Sequence, residues 1–128
     1  MKNYDIEEAA KLIVHSAFIV HQELGPGLLE SIYHVCLFEE LTNKGLDVKS
    51  EVIIPVFYKG KAVEKDFRLD LLVENHIILE IKAVEILLPV HMAQLLSYLR
   101  LTDKRMGFLL NFNVPLMKEG IRRMVYKY

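Results

Sequence analysis

Asp70, Glu80 and Lys82 are embedded in two adjacent apolar runs, Phe67-Arg68-Leu69-Asp70-Leu71-Leu72-Val73 and Ile77-Ile78-Leu79-Glu80-Ile81-Lys82-Ala83-Val84. Both runs read as strands that are apolar on both faces, and such strands are buried on both faces. A carboxylate or ammonium there costs several kcal/mol unless it is paired or bound to a metal. Side chains alternate across a strand, so Glu80 and Lys82 point the same way, about 6.5 Å apart along the chain. If the loop between the strands is odd in length, as Glu74-Asn75-His76 is, Asp70 falls opposite Glu80 on that face. Two facing carboxylates repel. Asp, Glu and Lys converging inside an apolar sheet therefore ask for a divalent cation, and form a catalytic arrangement.

The elements that must position these residues follow from periodicity and punctuation. Asp5 to Leu24 has apolar residues at helical spacing, with Asp5 as N-cap, and Gly25-Pro26-Gly27 ends it sharply. Leu28 to Lys44 is a second helix closed by Gly45. Val48 to Tyr58 alternates and is rich in β-branched residues, so it reads as a strand, with Pro55 marking an edge or a bulge. Lys59-Gly60-Lys61 is a hairpin turn, followed by strands over Ala62–Val73 and Ile77–Val84. Pro89 to Leu101 is a helix, Met106 to Phe112 a short strand, and Pro115 to Tyr126 a terminal helix or helical tail. The fold class is α/β (α+β) in the order ααβββαβα, a mixed central sheet flanked by helices.

The chain has 128 residues, 52% hydrophobic and 26% charged, which predicts one compact domain over residues 1–128 with a real core. A net charge of −1 removes the global basic signature of many nucleic-acid binders, so any polyanion must meet a local patch. Cys36 has no partner for an internal disulfide and reads as a reduced, buried thiol. The opening Met1-Lys2-Asn3-Tyr4-Asp5 lacks a signal-peptide layout, and the apolar run Leu12–Val20 is too short to span a bilayer. A soluble, cytoplasmic protein without a membrane partner is expected.

Asp70 followed by Glu80-x-Lys82 on the next strand, within α-β-β-β-α-β, resembles the PD-(D/E)XK nuclease superfamily, whose core is the restriction-endonuclease-like fold. The resemblance implies that Asp70 and Glu80 bind Mg²⁺ or Mn²⁺ with the main-chain carbonyl of Ile81, and that Lys82 orients or helps deprotonate the attacking water. Those residue types suit such chemistry, because hard divalent ions take oxygen ligands and Mg²⁺ keeps several waters beside one or two carboxylates. Leu69 stands before the aspartate where the superfamily name has Pro. Gly27-Leu28-Leu29-Glu30-Ser31-Ile32-Tyr33 fits the G-x-x-E-x-x-Y signature, so the chain looks like a GxxExxY-family protein. By that likeness Glu30 reaches toward the metal, directly or through water; on spacing alone it merely complements the positive end of its helix.

Gln94 and Tyr98 lie at i and i+4, one turn apart on one helix face, with His91 one turn earlier. The pair resembles the Q-x-x-x-Y element of exonuclease-type members, which faces the site and contacts substrate; the plain alternative is a polar rim with a core tyrosine. The five histidines, His15, His21, His34, His76 and His91, show no zinc spacing. Arg100, Lys104, Arg105, Arg122 and Arg123 offer a basic rim for phosphate, though each alone reads as solvated charge. Two readings result. The first is a Mg²⁺- or Mn²⁺-dependent nuclease acting on DNA or RNA, leaning on a homodimer, a protein partner or nucleic-acid structure for recognition. The alternative is a non-catalytic nucleic-acid- or protein-binding module built on the same cleft.

Overall fold

The structure, a computed structural model, describes residues 5–128; Met1–Tyr4, read above for the absence of a leader layout, lie outside the described residues. Helix α1 runs over Ile6–Leu24, opened by Asp5, whose carboxylate accepts from the Glu8 N–H at 2.8 Å. That cap contributes about 1 kcal/mol. Its stripe of Ala9, Ile13, Ala17 and Val20 is buried, as a helical period requires. Gly25 and Gly27, at φ 68° and 97°, then take the left-handed backbone that turns the chain into α2, Glu30–Asn43. Tyr33 locks this turn: its hydroxyl donates to the Gly25 carbonyl at 2.6 Å and accepts from the Leu28 N–H at 3.1 Å. The Tyr33 ring is fully buried and stacks on Phe112 with centroids 4.7 Å apart. The tyrosine of the G-x-x-E-x-x-Y stretch thus ties the start of α2, and Glu30 with it, to the core. Cys36 is free and only half-buried.

Five strands follow in the sheet order β1-β2-β3-β4-β5, over Val48–Tyr58, Lys61–Val73, Ile77–Lys82, Met106–Asn111 and Ile121–Val125. Only β3 and β4 are parallel, joined by a crossover through helix α3, Pro89–Thr102. Lys59 and Gly60 make the tight hairpin tip, and β1 is an edge strand with a register shift between Pro55 and Phe57. Helices α1 and α2 cover one face over Leu71, Val73, Leu79, Ile81 and Phe112; α3 covers the other over Leu69, Leu72, Ile78 and Leu109.

The chain end departs from the expected terminal helix over Pro115–Tyr126. A 3₁₀ turn, Met117–Gly120, leads instead into β5, antiparallel to β4. Strand β4 is buried at every position, and β5 covers what would otherwise be an exposed, apolar edge. The period is two: Ile121 packs toward α1 and α2, Met124 toward α3. Gly120 makes this return possible, because a Cβ there would collide with the main-chain carbonyl of Asn111. Gly120→Ala is therefore expected to cost about 2 kcal/mol, read as a lower urea midpoint with unchanged slope.

Candidate active site

The site begins where the β2–β3 ladder stops. Backbone pairing runs Val73↔Ile77, Leu72↔Ile78 and Leu71↔Leu79, across the three-residue loop in which Glu74 and Asn75 take positive φ. The next pair would be Asp70 and Glu80, and there the side chains replace the main-chain carbonyls. The Asp70 N–H donates to Glu80 Oε2 at 3.0 Å, and the Ile81 N–H donates to Asp70 Oδ2 at 2.7 Å. Each carboxylate is thus fixed by one oxygen, while the second accepts no hydrogen bond from a described residue. Among the described residues no buried side-chain oxygen is left without a partner, so the second oxygen of Glu80 reaches open space.

Glu80 is only 5% exposed, and its carboxyl is pushed up to about 8. Burial is the main cause and the charge of Asp70 the next; Glu30 adds to it, while the Asp70 amide and Lys82 oppose it. Tyr98, whose ring stacks on Phe67 at 4.4 Å, has its hydroxyl pushed up by burial and then by the charges of Glu80 and Asp70. Helix α3 therefore brings Tyr98 within electrostatic reach of both carboxylates. Lys82 makes no ion pair with Asp70 or Glu80 among the described residues, so its ammonium is not consumed as their counter-ion.

Glu30 stands at the exposed edge, lining with His34, Ser50, Glu51 and Asp70 a cleft of about 320 Å³. Gln94 is exposed, and its side chain has no hydrogen bond among the described residues. His91 serves the helix itself, its Nδ1 accepting from the Leu88 N–H at 2.9 Å at the start of α3. Of the basic rim, Arg122, Arg123, Lys104 and Arg105 lie elsewhere, and Arg100 turns to Ser97 Oγ on its own helix at 3.4 Å. Arg123 forks onto Glu7 at 2.9 and 2.7 Å, which holds the Glu7 carboxyl down at about 2, and Arg122 turns to the Glu119 carbonyl. Lys104 and Arg105 precede β4, whereas Lys82 ends the parallel β3 beside Asn111. A parallel crossover returns the chain to the far end of the sheet, so these two cations sit away from the carboxylates.

Three features of the site have no counterpart in the expectations from sequence. Buried Asn111 clamps the chain leaving β3: its Oδ1 accepts from the Val84 N–H at 3.0 Å and its Nδ2 donates to the Val84 carbonyl at 2.9 Å. A polar residue ending the run Met106-Gly107-Phe108-Leu109-Leu110-Asn111 is the signal that could have found it. Glu51 sits in mid-strand at φ 53°, directly across from Asp70, since Ser50 pairs with Leu71 and Val52 with Leu69. There both strands exchange faces: Val48, Leu71 and Val73 pack toward α1 and α2, but Val52, Phe67 and Leu69 pack toward α3. A non-glycine residue held there stores about 1 kcal/mol or more of strain. His34, one turn after Glu30, joins the cleft wall through Ser50.

The donor set suits a hard divalent ion. Two fixed carboxylates, each with an oxygen to spare, are what Mg²⁺ or Mn²⁺ takes alongside water and a substrate phosphate. The carboxyl of Glu80, raised by burial and by its neighbour, is the group such an ion would bring back to the charged form. No group of three or more His, Cys, Asp and Glu is arranged for a metal among the described residues, so Glu30 is not a third member of a closed cage.

Comparison with known proteins agrees with this architecture. The family profile of the PD-(D/E)XK nuclease superfamily matches residues 7–124. The crystal structure of SSO0001 is similar at a TM-score of 0.50 and 24% identity, covering 74% of this chain and 48% of that one, which bears on the fold alone. The chain thus spans about half the length of that neighbour. No curated protein matches it.

Proposed function

The chain belongs to the PD-(D/E)XK nuclease superfamily, and from that premise we propose a Mg²⁺- or Mn²⁺-dependent nuclease that hydrolyses phosphodiester bonds of DNA or RNA. Within the superfamily we place it in the GxxExxY group, on Gly27, Glu30 and Tyr33. The observation that carries the reading is the crossed pair of carboxylate–amide bonds at the β2–β3 split, which holds Asp70 and Glu80 side by side. These two, with the Ile81 carbonyl and with Glu30 at the cleft edge, would hold the ion. When bound, such an ion would supply the means to acidify a water and to neutralise charge on the phosphate.

The protein's own groups do the rest. Lys82, on the Glu80 face and without an ion pair among the described residues, orients the attacking water and stabilises the charge that develops on the phosphate oxygens. Water gives up a proton to bulk solvent as it adds to phosphorus, the bond to the leaving sugar oxygen breaks, and that oxygen takes up a proton from solvent. Gln94, Tyr98 and His91 contact the substrate from α3; Tyr98 is the member whose proximity to both carboxylates supports this. No helix among the described residues is long and apolar enough to cross a membrane. A single domain working in the cytoplasm, with a second copy or a protein partner aiding recognition, completes the proposal.

The test is cleavage of labelled single- and double-stranded DNA and RNA with Mg²⁺ and with Mn²⁺. The wild-type protein is expected to cut, and Asp70→Asn to fall by about a thousandfold, the scale of losing a group that acts in the transition state. A wild-type protein inert on all four substrates would favour the binding-module reading.

A further inference from the structure

The α2 wall of the cleft holds a donor pair that the mechanism above does not use. His34 is one helical turn after Glu30, on the same face, and its Nε2 lies 2.7 Å from Ser50 Oγ on β1. Both side chains line the cleft with Asp70, Glu30 and Glu51. A neutral imidazole and a hydroxyl hold two exchangeable protons between them. One is spent in the bond that joins them. The other sits on His34 Nδ1 if the serine donates, or on Ser50 Oγ if the imidazole donates. In neither case does a described residue accept it.

The charged groups that line the cleft with the pair are Glu30 on its own helix, Glu51 on β1, which also pairs with Arg68 at 3.6 Å, and Asp70 on β2; ionised carboxylates bring acceptors only. Ser31 is the other hydroxyl in this wall, and no described residue holds it in place. His34 and Ser50 hold each other across two elements, so both side chains are held in place before any ligand arrives, and either tautomer leaves one donor free for it. A phosphodiester brings negative charge and unpaired acceptor oxygens, and hydrogen bonds to such oxygens are the strong kind.

Resting on the nuclease reading, we propose that His34 and Ser50 form a subsite for a non-bridging oxygen of the phosphate neighbouring the one cleaved at Asp70 and Glu80. The substrate is then a strand with at least two consecutive phosphates, its backbone passing from the carboxylate pair to the α2 wall. The pair acts by binding and takes no part in bond breaking.

The experiment is steady-state cleavage of a short fluorescein-labelled oligonucleotide with Mn²⁺ by wild type, His34→Ala, Ser50→Ala, the double variant and His34→Gln. KM is expected to rise about tenfold in either single variant with kcat nearly unchanged, and the double variant to be no worse, because the two side chains act as one donor. His34→Gln, whose amide can hold Ser50 and still donate, should recover most of the loss. A methylphosphonate in place of the neighbouring phosphate should raise KM for wild type and leave His34→Ala unaffected. Wild-type KM in both single variants, or a loss matched by a fall in melting temperature with no recovery in His34→Gln, overturns the subsite. If the wild-type protein cleaves nothing, the nuclease reading fails by itself, and fluorescence anisotropy with the same oligonucleotide decides the subsite. Binding about tenfold weaker in His34→Ala supports it; equal binding, or none by wild type, overturns it.

Discussion

Glu80→Gln is expected to melt above the wild-type protein in the absence of divalent ions, with a margin that widens as the pH rises. The Glu80 carboxyl stands at about 8 in the folded chain against an ordinary 4.5. Between those values the folded state binds a proton that the unfolded state releases, so stability falls as pH rises through the window and levels off above it. Below about pH 4.5 the contribution is fully present. The shift corresponds to up to about 5 kcal/mol, and a rise of roughly 5–10 °C in melting temperature at pH 8 is expected once imperfect hydrogen bonding by the glutamine amide is subtracted. Burial is the larger cause and the charge of Asp70 the next, so a neutral isostere relieves both. Thermal melts of both proteins in chelator from pH 4 to 9 measure it. Parallel curves for the two proteins would show that Glu80 carries no charge penalty. With Mn²⁺ present the order should reverse, because only the wild-type protein gains from binding the ion.

Lys82→Ala is expected to lower cleavage by a hundredfold to a thousandfold, about the loss seen when one preorganised donor to a developing charge is removed. Mn²⁺ affinity and melting temperature should change little. The reason lies in the geometry: no ion pair joins Lys82 to Asp70 or Glu80 among the described residues, so its removal strands no buried partner. A lysine serving only as counter-ion would behave otherwise. Its loss would lower stability in chelator, Mn²⁺ would compensate more strongly, and cleavage would persist. Melting temperatures with and without Mn²⁺, set beside the cleavage rate, separate the two. A fully active Lys82→Ala protein would refute the role given to the lysine while leaving the nuclease intact.

Much of the fold and site is legible from local rules. The odd loop Glu74-Asn75-His76 sets Asp70 against Glu80, because a three-residue turn fixes the register Val73↔Ile77, Leu72↔Ile78 and Leu71↔Leu79. Gly25 and Gly27 announce the turn that presents Glu30, and Pro89 the start of α3. What escapes is what only the assembled fold decides. Ile121-Arg122-Arg123-Met124-Val125 carries no strong period, and it is a strand because the open edge of β4 requires one. The scattered arginines near the chain end look like a rim until pairing draws Arg123 to Glu7, which lies more than a hundred residues earlier. Glu51 is hidden in an alternating run whose apolar residues satisfy one face before the kink and the other after it. His34 looks unremarkable because its partner Ser50 arrives from β1.

Whether Asp70 and Glu80 share one divalent ion is read by calorimetric titration of Mn²⁺ at pH 7 in two buffers of different ionisation enthalpy. With its carboxyl at about 8, Glu80 is mostly protonated before the ion binds and must be ionised after. One ion per chain and release of about one proton per ion bound are expected, with both lost in Glu80→Gln. Mn²⁺ binding without proton release, or binding that survives unchanged in Glu80→Gln, would contradict it.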